Sequence, residues 1–158
     1  MSTEQNKAVV RRYFEGDRDG RDNVAVWDEI CDRGLVVIGA GLPEPVRGLD
    51  AVKQFTTAMH SAFSNFGLTV EDLIADDDRV AARWIMRGTH TAPLALPGMN
   101  LPPTSKQIAV SGISICRVAG GKLVEELVQG DWMGMMQQLG AIPAVGAIDR
   151  QSEGARIP

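Results

Sequence analysis

The spacing of apolar residues along this chain changes once, near residue 66. Before it, the period is helical. Val9, Val10, Tyr13 and Phe14 recur at steps of three and four, which predicts a helix over 6–16 that Gly16 and Gly20 stop. Asn23 is placed to cap a second helix whose apolar face carries Val24, Trp27, Ile30 and Cys31. The β-branched run Leu35-Val36-Val37-Ile38, bounded by glycines, reads as a short strand. A loop with Pro43 and Pro45 leads to a third helix over 49–64, with Val52, Phe55, Met59 and Phe63 on one side.

Beyond residue 66 strands take over. Residues 68–75 end in the turn Asp76-Asp77-Asp78, and 79–90 form a long strand. A proline-rich excursion follows over 93–105. Residues 107–118 and 122–130 are two strands joined by the hairpin turn Gly120-Gly121, and a last helix covers 132–139. Helices first and a long antiparallel sheet afterwards predict an α+β fold rather than alternating α/β. A strongly curved, mainly antiparallel sheet wrapped around three helices would enclose a pocket between the layers. The 158 residues suit one domain, assigned to 1–143, with 144–158 a small, polar, aperiodic tail.

Candidate chemistry concentrates near the last strand–helix junction. Asp131 stands between the strand and a helix rich in methionine, next to Trp132. An acid in an apolar wall has a raised pKa and suits proton transfer. The same position also suits a helix N-cap, and bonding to backbone N–H groups would act on the pKa in the opposite sense. Strict alternation puts His90 on one face with Trp84 and Met86. His90 is therefore either a pocket imidazole or a strand-end residue bonded to a loop. Gln129 has the parity of Asp131, so it is a candidate hydrogen-bond donor to substrate. Met59, Phe63, Met133 and Met136 complete a candidate apolar wall, methionine being pliable enough for flat ligands.

Charge and composition mainly exclude. The chain is 44% hydrophobic with net charge −4 and pI about 5.1, and no Lys/Arg cluster suggests nucleic acid. No apolar stretch has the length of a membrane span, and the polar start is unlike a signal peptide. Two distant cysteines and two distant histidines point to reduced thiols in a cytoplasmic protein and to no metal site. Asp76 to Asp78 lack calcium-loop spacing.

An ordered set of segments then stands out: Gly88-Thr89-His90, Pro102-Pro103-Thr104, Gly112-Ile113-Ser114-Ile115-Cys116-Arg117, Gly121-Lys122-Leu123-Val124-Glu125-Glu126, and Asp131 ahead of Gln137-Gln138-Leu139-Gly140. The set resembles the SnoaL-like polyketide cyclases of the NTF2-like superfamily over about residues 6–143. The resemblance implies a cone-shaped α+β barrel with a deep apolar pocket. It also implies a cofactor-free enzyme of antibiotic biosynthesis, in which one aspartate, matching Asp131, serves an intramolecular aldol cyclisation of a hydrophobic polyketide. The alternatives are a cofactor-independent hydroxylase, isomerase or epoxide hydrolase, and a non-catalytic binder of hydrophobic ligands. The chain departs from the pattern at Leu127, where relatives commonly carry an aromatic residue. It departs again at Ile115, Cys116 and Arg117, where cyclising relatives tend to place a histidine. Ala81, Ile85, Ile113 and Ile115 on the outer sheet face predict a homodimer.

Overall fold

The structure, a computed structural model, describes residues 1–20, 22–39 and 41–144. Helix α1 (Thr3–Glu15) starts at a capping box, in which the Ser2 hydroxyl accepts from Gln5 N–H and the Gln5 side chain accepts from Ser2 N–H. It buries Asn6, Val10, Tyr13 and Phe14, one face at helical spacing. Helix α2 (Asn23–Ile30) is capped by Asp22, one residue earlier than expected, through Ala25 N–H. Strand β1 (Cys31–Gly39) pairs with the two-residue β2 (Val46–Arg47), and α3 (Leu49–His60) follows.

The remaining order is β3 (Phe63–Asp76), β4 (Arg79–His90), β5 (Leu94–Leu96), β6 (Met99–Leu101), β7 (Gln107–Ala119), β8 (Lys122–Gly130) and α4 (Trp132–Leu139). Strands β4 and β8 and helix α4 keep their expected bounds. Helix α3 stops earlier than the apolar spacing suggests, because Phe63 is drawn into the sheet opposite His90. The Ala62 carbonyl then accepts from both Thr91 and Ala92 N–H. The proline-rich excursion contains a small hairpin, β5 with β6, turning at Pro97-Gly98.

The main sheet runs β2-β1-β8-β7-β4-β3. Its β1–β8 pair is parallel and its other pairs are antiparallel, so the sheet is mixed. It is curved but open, with β2 and β3 at its edges, and not the closed barrel that the resemblance implied. Register shifts on β3 sharpen the curl, since an extra residue increases local bend and twist. Helix α1 packs against β3 and β4, α3 against β1, and α4 against β7. Where β7 runs past the end of β8, the Gln138 side-chain amide takes over the ladder, accepting from Ala109 N–H at 2.7 Å and donating to its carbonyl at 3.0 Å. Among the described residues no helix is long and apolar enough to cross a membrane. Apart from Ala144, the tail assigned to 144–158 lies outside the described residues.

One row across the sheet shapes the interior: Val70, Trp84, Gly112 and Gly130 are neighbours on β3, β4, β7 and β8. The Trp84 indole lies over Gly112, where any β-carbon would collide with its six-membered ring. A β-carbon on Gly130 would come within 2.7 Å of the Trp132 ring. The two glycines thus leave room for two indoles, whose centroids are 6.3 Å apart. Gly112→Ala should displace Trp84 and cost about 1–3 kcal/mol, the usual scale of overpacking. Thermal melting followed by tryptophan fluorescence checks this, and an unchanged Tm would contradict it.

Candidate active site

A single bulge decides which carboxyl group of β8 enters the interior. Val118 pairs with Leu123 but Arg117 pairs with Glu125, so Val124 is an extra residue without a partner of its own. A bulge of this kind re-aims the side chains that follow it. Leu123 and Glu126 therefore both point inward, three residues apart, opposite Val118 and Cys116. The parity beyond the bulge carries Val128 inward, and Leu127 and Gln129 outward.

Glu126 is 5% exposed and lines an internal cavity. Its Oε2 accepts from the Tyr13 hydroxyl at 2.6 Å and its Oε1 from the Ser114 hydroxyl at 2.7 Å. The Trp84 indole N–H donates to Ser114 Oγ at 3.0 Å, which leaves the serine proton free to serve Glu126. Trp27 fixes the backbone of α1 by donating from Nε1 to the Tyr13 carbonyl at 2.9 Å, and its ring stacks on Tyr13. Burial holds the Glu126 carboxyl above its ordinary pKa, against the two hydroxyl hydrogen bonds that pull it down. Burial and then the Glu126 charge push the Tyr13 phenol and the Cys116 thiol well up, and the Cys31 thiol to about 12. Both cysteines are thus held as unreactive thiols.

The cavity wall is aromatic and thioether-rich, with Phe14, Trp27, Trp84 and Trp132 beside Met59 and Met86. Asn23, Thr56 and His60 supply its other polar groups. Among the described residues no three His, Cys, Asp or Glu side chains are grouped to hold a metal ion.

Of the residues singled out in the sequence, Trp84, Met86 and Met59 line this cavity. Phe63 is buried beside it, in ring contact with His90 and Phe66, and does not line it. Met136 packs partly buried against the core, and Met133 is 62% exposed. Gln129 is exposed, because the bulge turns its parity outward. Asp131 is exposed as well; it caps α4, Oδ1 accepting from Gly134 N–H at 2.9 Å. His90 is fully buried, but its Nδ1 faces Thr104, accepting from the backbone N–H at 3.2 Å, and it does not line the cavity. The structure thus does not bring Asp131, His90 and Gln129 together at the cavity. Glu126, Tyr13 and Ser114 are what sequence reasoning missed. Two adjacent glutamates on a strand must point to opposite faces, and that was the signal that could have found Glu126.

The comparisons agree with this architecture. The family model for SnoaL-like polyketide cyclases matches residues 7–139, and the chain belongs to that family. Among solved structures it is similar to a candidate SnoaL-like polyketide cyclase from Jannaschia sp. CCS1, with 22% identity and a TM-score of 0.77 over 89% of this chain and 95% of that one. It is also similar to IdmH, a candidate polyketide cyclase from Streptomyces antibioticus, at 26% identity and TM-score 0.63 over 89% and 99% of the two chains. AclR, a candidate hydroxylase from Streptomyces galilaeus, is 22% identical with a TM-score of 0.69 over 97% and 92%. No protein of curated function matches the chain. The fold is α+β and NTF2-like.

Glu126 gives a stability test with a definite sign. Its proton is held more tightly in the folded chain than in the unfolded one. Its contribution to stability is therefore present below the ordinary carboxylate value and is lost as pH rises through the folded value. Glu126→Gln removes that dependence. The Tm difference, variant minus wild type, should move in favour of the variant as pH rises from about 3 to about 8, below and above the usual range of glutamate titration. A difference that stays constant with pH would contradict the burial argument.

Proposed function

We propose that this protein is a cofactor-independent polyketide cyclase-like enzyme acting by acid/base catalysis, with Glu126 as the proton-transfer group. One observation supports the reading above others: a carboxyl group at a cavity wall, desolvated enough to raise its pKa, with each oxygen held by a hydroxyl. That arrangement is costly for a mere structural group, and a raised pKa is what proton exchange near neutral pH requires. Ionised Glu126 takes a proton from a carbon next to a carbonyl. The resulting enolate attacks a second carbonyl of the same molecule, and the proton returns to the new alkoxide. Conjugation in the substrate stabilises the enolate, so the reaction asks for no cofactor. The aromatic wall holds the reacting end of the substrate oriented for attack, an effect worth several kcal/mol. The substrate is a hydrophobic polyketide-type molecule, and the product fits antibiotic biosynthesis.

In this reading Asp131 serves α4 and not the chemistry. The test is deuterium exchange at C1 of 2-tetralone in D₂O, together with ring closure of heptane-2,6-dione. Glu126→Gln should lower both by about 10²-fold or more. Asp131→Asn should leave them within about threefold, and Asp131→Ala should instead cost about 1 kcal/mol of stability as a lost cap. The reverse pattern would return proton transfer to Asp131. A carrier of hydrophobic ligands would bind both compounds and turn over neither, with affinity unchanged in Glu126→Gln.

We also propose a cytoplasmic homodimer. The support is an apolar outer sheet face: Ile113, Ile115 and Leu127 are 52%, 43% and 39% exposed. Ile113 pairs with Arg83 and Gln129, and Ile115 with Ala81 and Leu127, in one continuous patch. Sedimentation at micromolar concentration should give a dimer, and Ile113→Lys a monomer with unchanged folding. A monomeric wild type would refute the assignment.

A further inference from the structure

The cavity that holds Glu126 and a neighbouring groove share one lining side chain. His60, at the end of α3, lines both the cavity of about 90 Å³ and an outer groove of about 560 Å³. Asp22, Thr57, Ser61 and Phe66 form the outer groove with it. The imidazole lies on the Phe66 ring with centroids 3.8 Å apart and planes at 27°. Stacking fixes the plane of the ring without using its nitrogens. Among the described residues neither nitrogen has a hydrogen-bond partner, and neither is sealed from the open space. Burial lowers the His60 pKa to about 4, with the Asp22 charge pulling the other way. At neutral pH the ring is therefore uncharged, with one N–H donor and one lone pair.

The site needs such a donor. When Glu126 takes a proton from carbon, the C–H pair becomes a carbon–carbon double bond and the carbonyl π pair moves onto oxygen. Tyr13 and Ser114 already give their hydroxyl hydrogens to Glu126. The Trp84 N–H is spent on Ser114 and the Trp27 N–H on the Tyr13 carbonyl. Of the rings lining the cavity, Trp132 and His60 keep donors that no described residue engages, and of these two His60 also borders the outer groove. A neutral imidazole can hold the developing oxyanion by a hydrogen bond and keep its own proton, so the reaction stays balanced with a single proton moved. The room inside is small and most of the space lies beyond His60.

We propose that His60 is a second catalytic group of this site, donating its ring N–H to the carbonyl oxygen of an enolisable ketone whose reacting end lies in the cavity and whose remainder extends past the imidazole into the outer groove. The proposal rests on Glu126 being the base, and its test separates the two. The probe is 2-tetralone, a bicyclic ketone with activated C1 hydrogens. At saturation, judged by tryptophan fluorescence, it should shift the ¹⁵N resonances of the His60 ring. His60→Phe should lower protein-dependent deuterium exchange at C1 by about 10²-fold, the scale of one lost oxyanion donor. His60→Gln, which keeps an N–H donor, should retain at least a tenth of the wild-type rate. Melting temperatures within a few degrees of wild type show that neither variant has unfolded. An unmoved His60 resonance with the probe bound would overturn the proposal, as would exchange by His60→Phe at the wild-type rate. Failure of 2-tetralone to bind at millimolar concentration would overturn the substrate class. Undiminished exchange in Glu126→Gln would refute the base instead, and the ring shift would still report on His60.

Discussion

Keeping one carboxyl group out of water is the constraint around which this interior is arranged. An isolated buried carboxylate would cost many kcal/mol, and the protein answers with two hydroxyl donors rather than a cation. Those donors come from opposite sides of the core: Tyr13 from α1 and Ser114 from β7. Each is held by an indole, Trp27 through the Tyr13 backbone and Trp84 through the serine oxygen. Hydroxyls lower the carboxyl pKa less than an arginine would, so Glu126 remains above its ordinary value and able to exchange a proton.

The rest of the fold follows from making room for this group. The sheet must curve to give a concave face, and the register shifts of β3 and β8 supply bend where a regular ladder would stay flatter. Gly112 and Gly130 let two indoles lie against the strands, which gives the cavity an aromatic wall. Helix α4, capped by Asp131, brings Trp132 to the cavity wall, and α3 brings Met59 and His60 to it. Catalysis in this arrangement is a matter of dielectric and position: an apolar wall strengthens each hydrogen bond inside it.

Much of the architecture was legible from spacing. The face Val80, Ala82, Trp84, Met86, Gly88 and His90 of β4 is buried as alternation demands, and α1 buries Val10, Tyr13 and Phe14 as its helical spacing does. The α+β class followed from helical period giving way to strand period. The site was less legible. Gln129 does share the parity of Asp131, but both point outward, and the inward set is fixed by one unpaired residue at Val124 that reverses the face of the side chains on either side of it. A bulge leaves little trace in a sequence whose residues all favour strands. Tyr13 and Ser114 gave no signal either, since each was an ordinary member of its own element.

The sequence by itself therefore determined most of the long elements, the class and the family, because periodicity and turn residues act over a few neighbours and survive whatever packs against them. It also determined that Asp131 stands at the start of a helix, where capping is a local property. The tertiary structure decided which carboxyl group is buried and what holds it, since Tyr13 and Glu126 are 113 residues apart and meet only when the helix lies on the sheet. It decided too that His90 belongs to the loop at Thr104 and His60 to the cavity wall. Burial and pKa are properties of everything that surrounds a group in space, and no short stretch of chain contains that information.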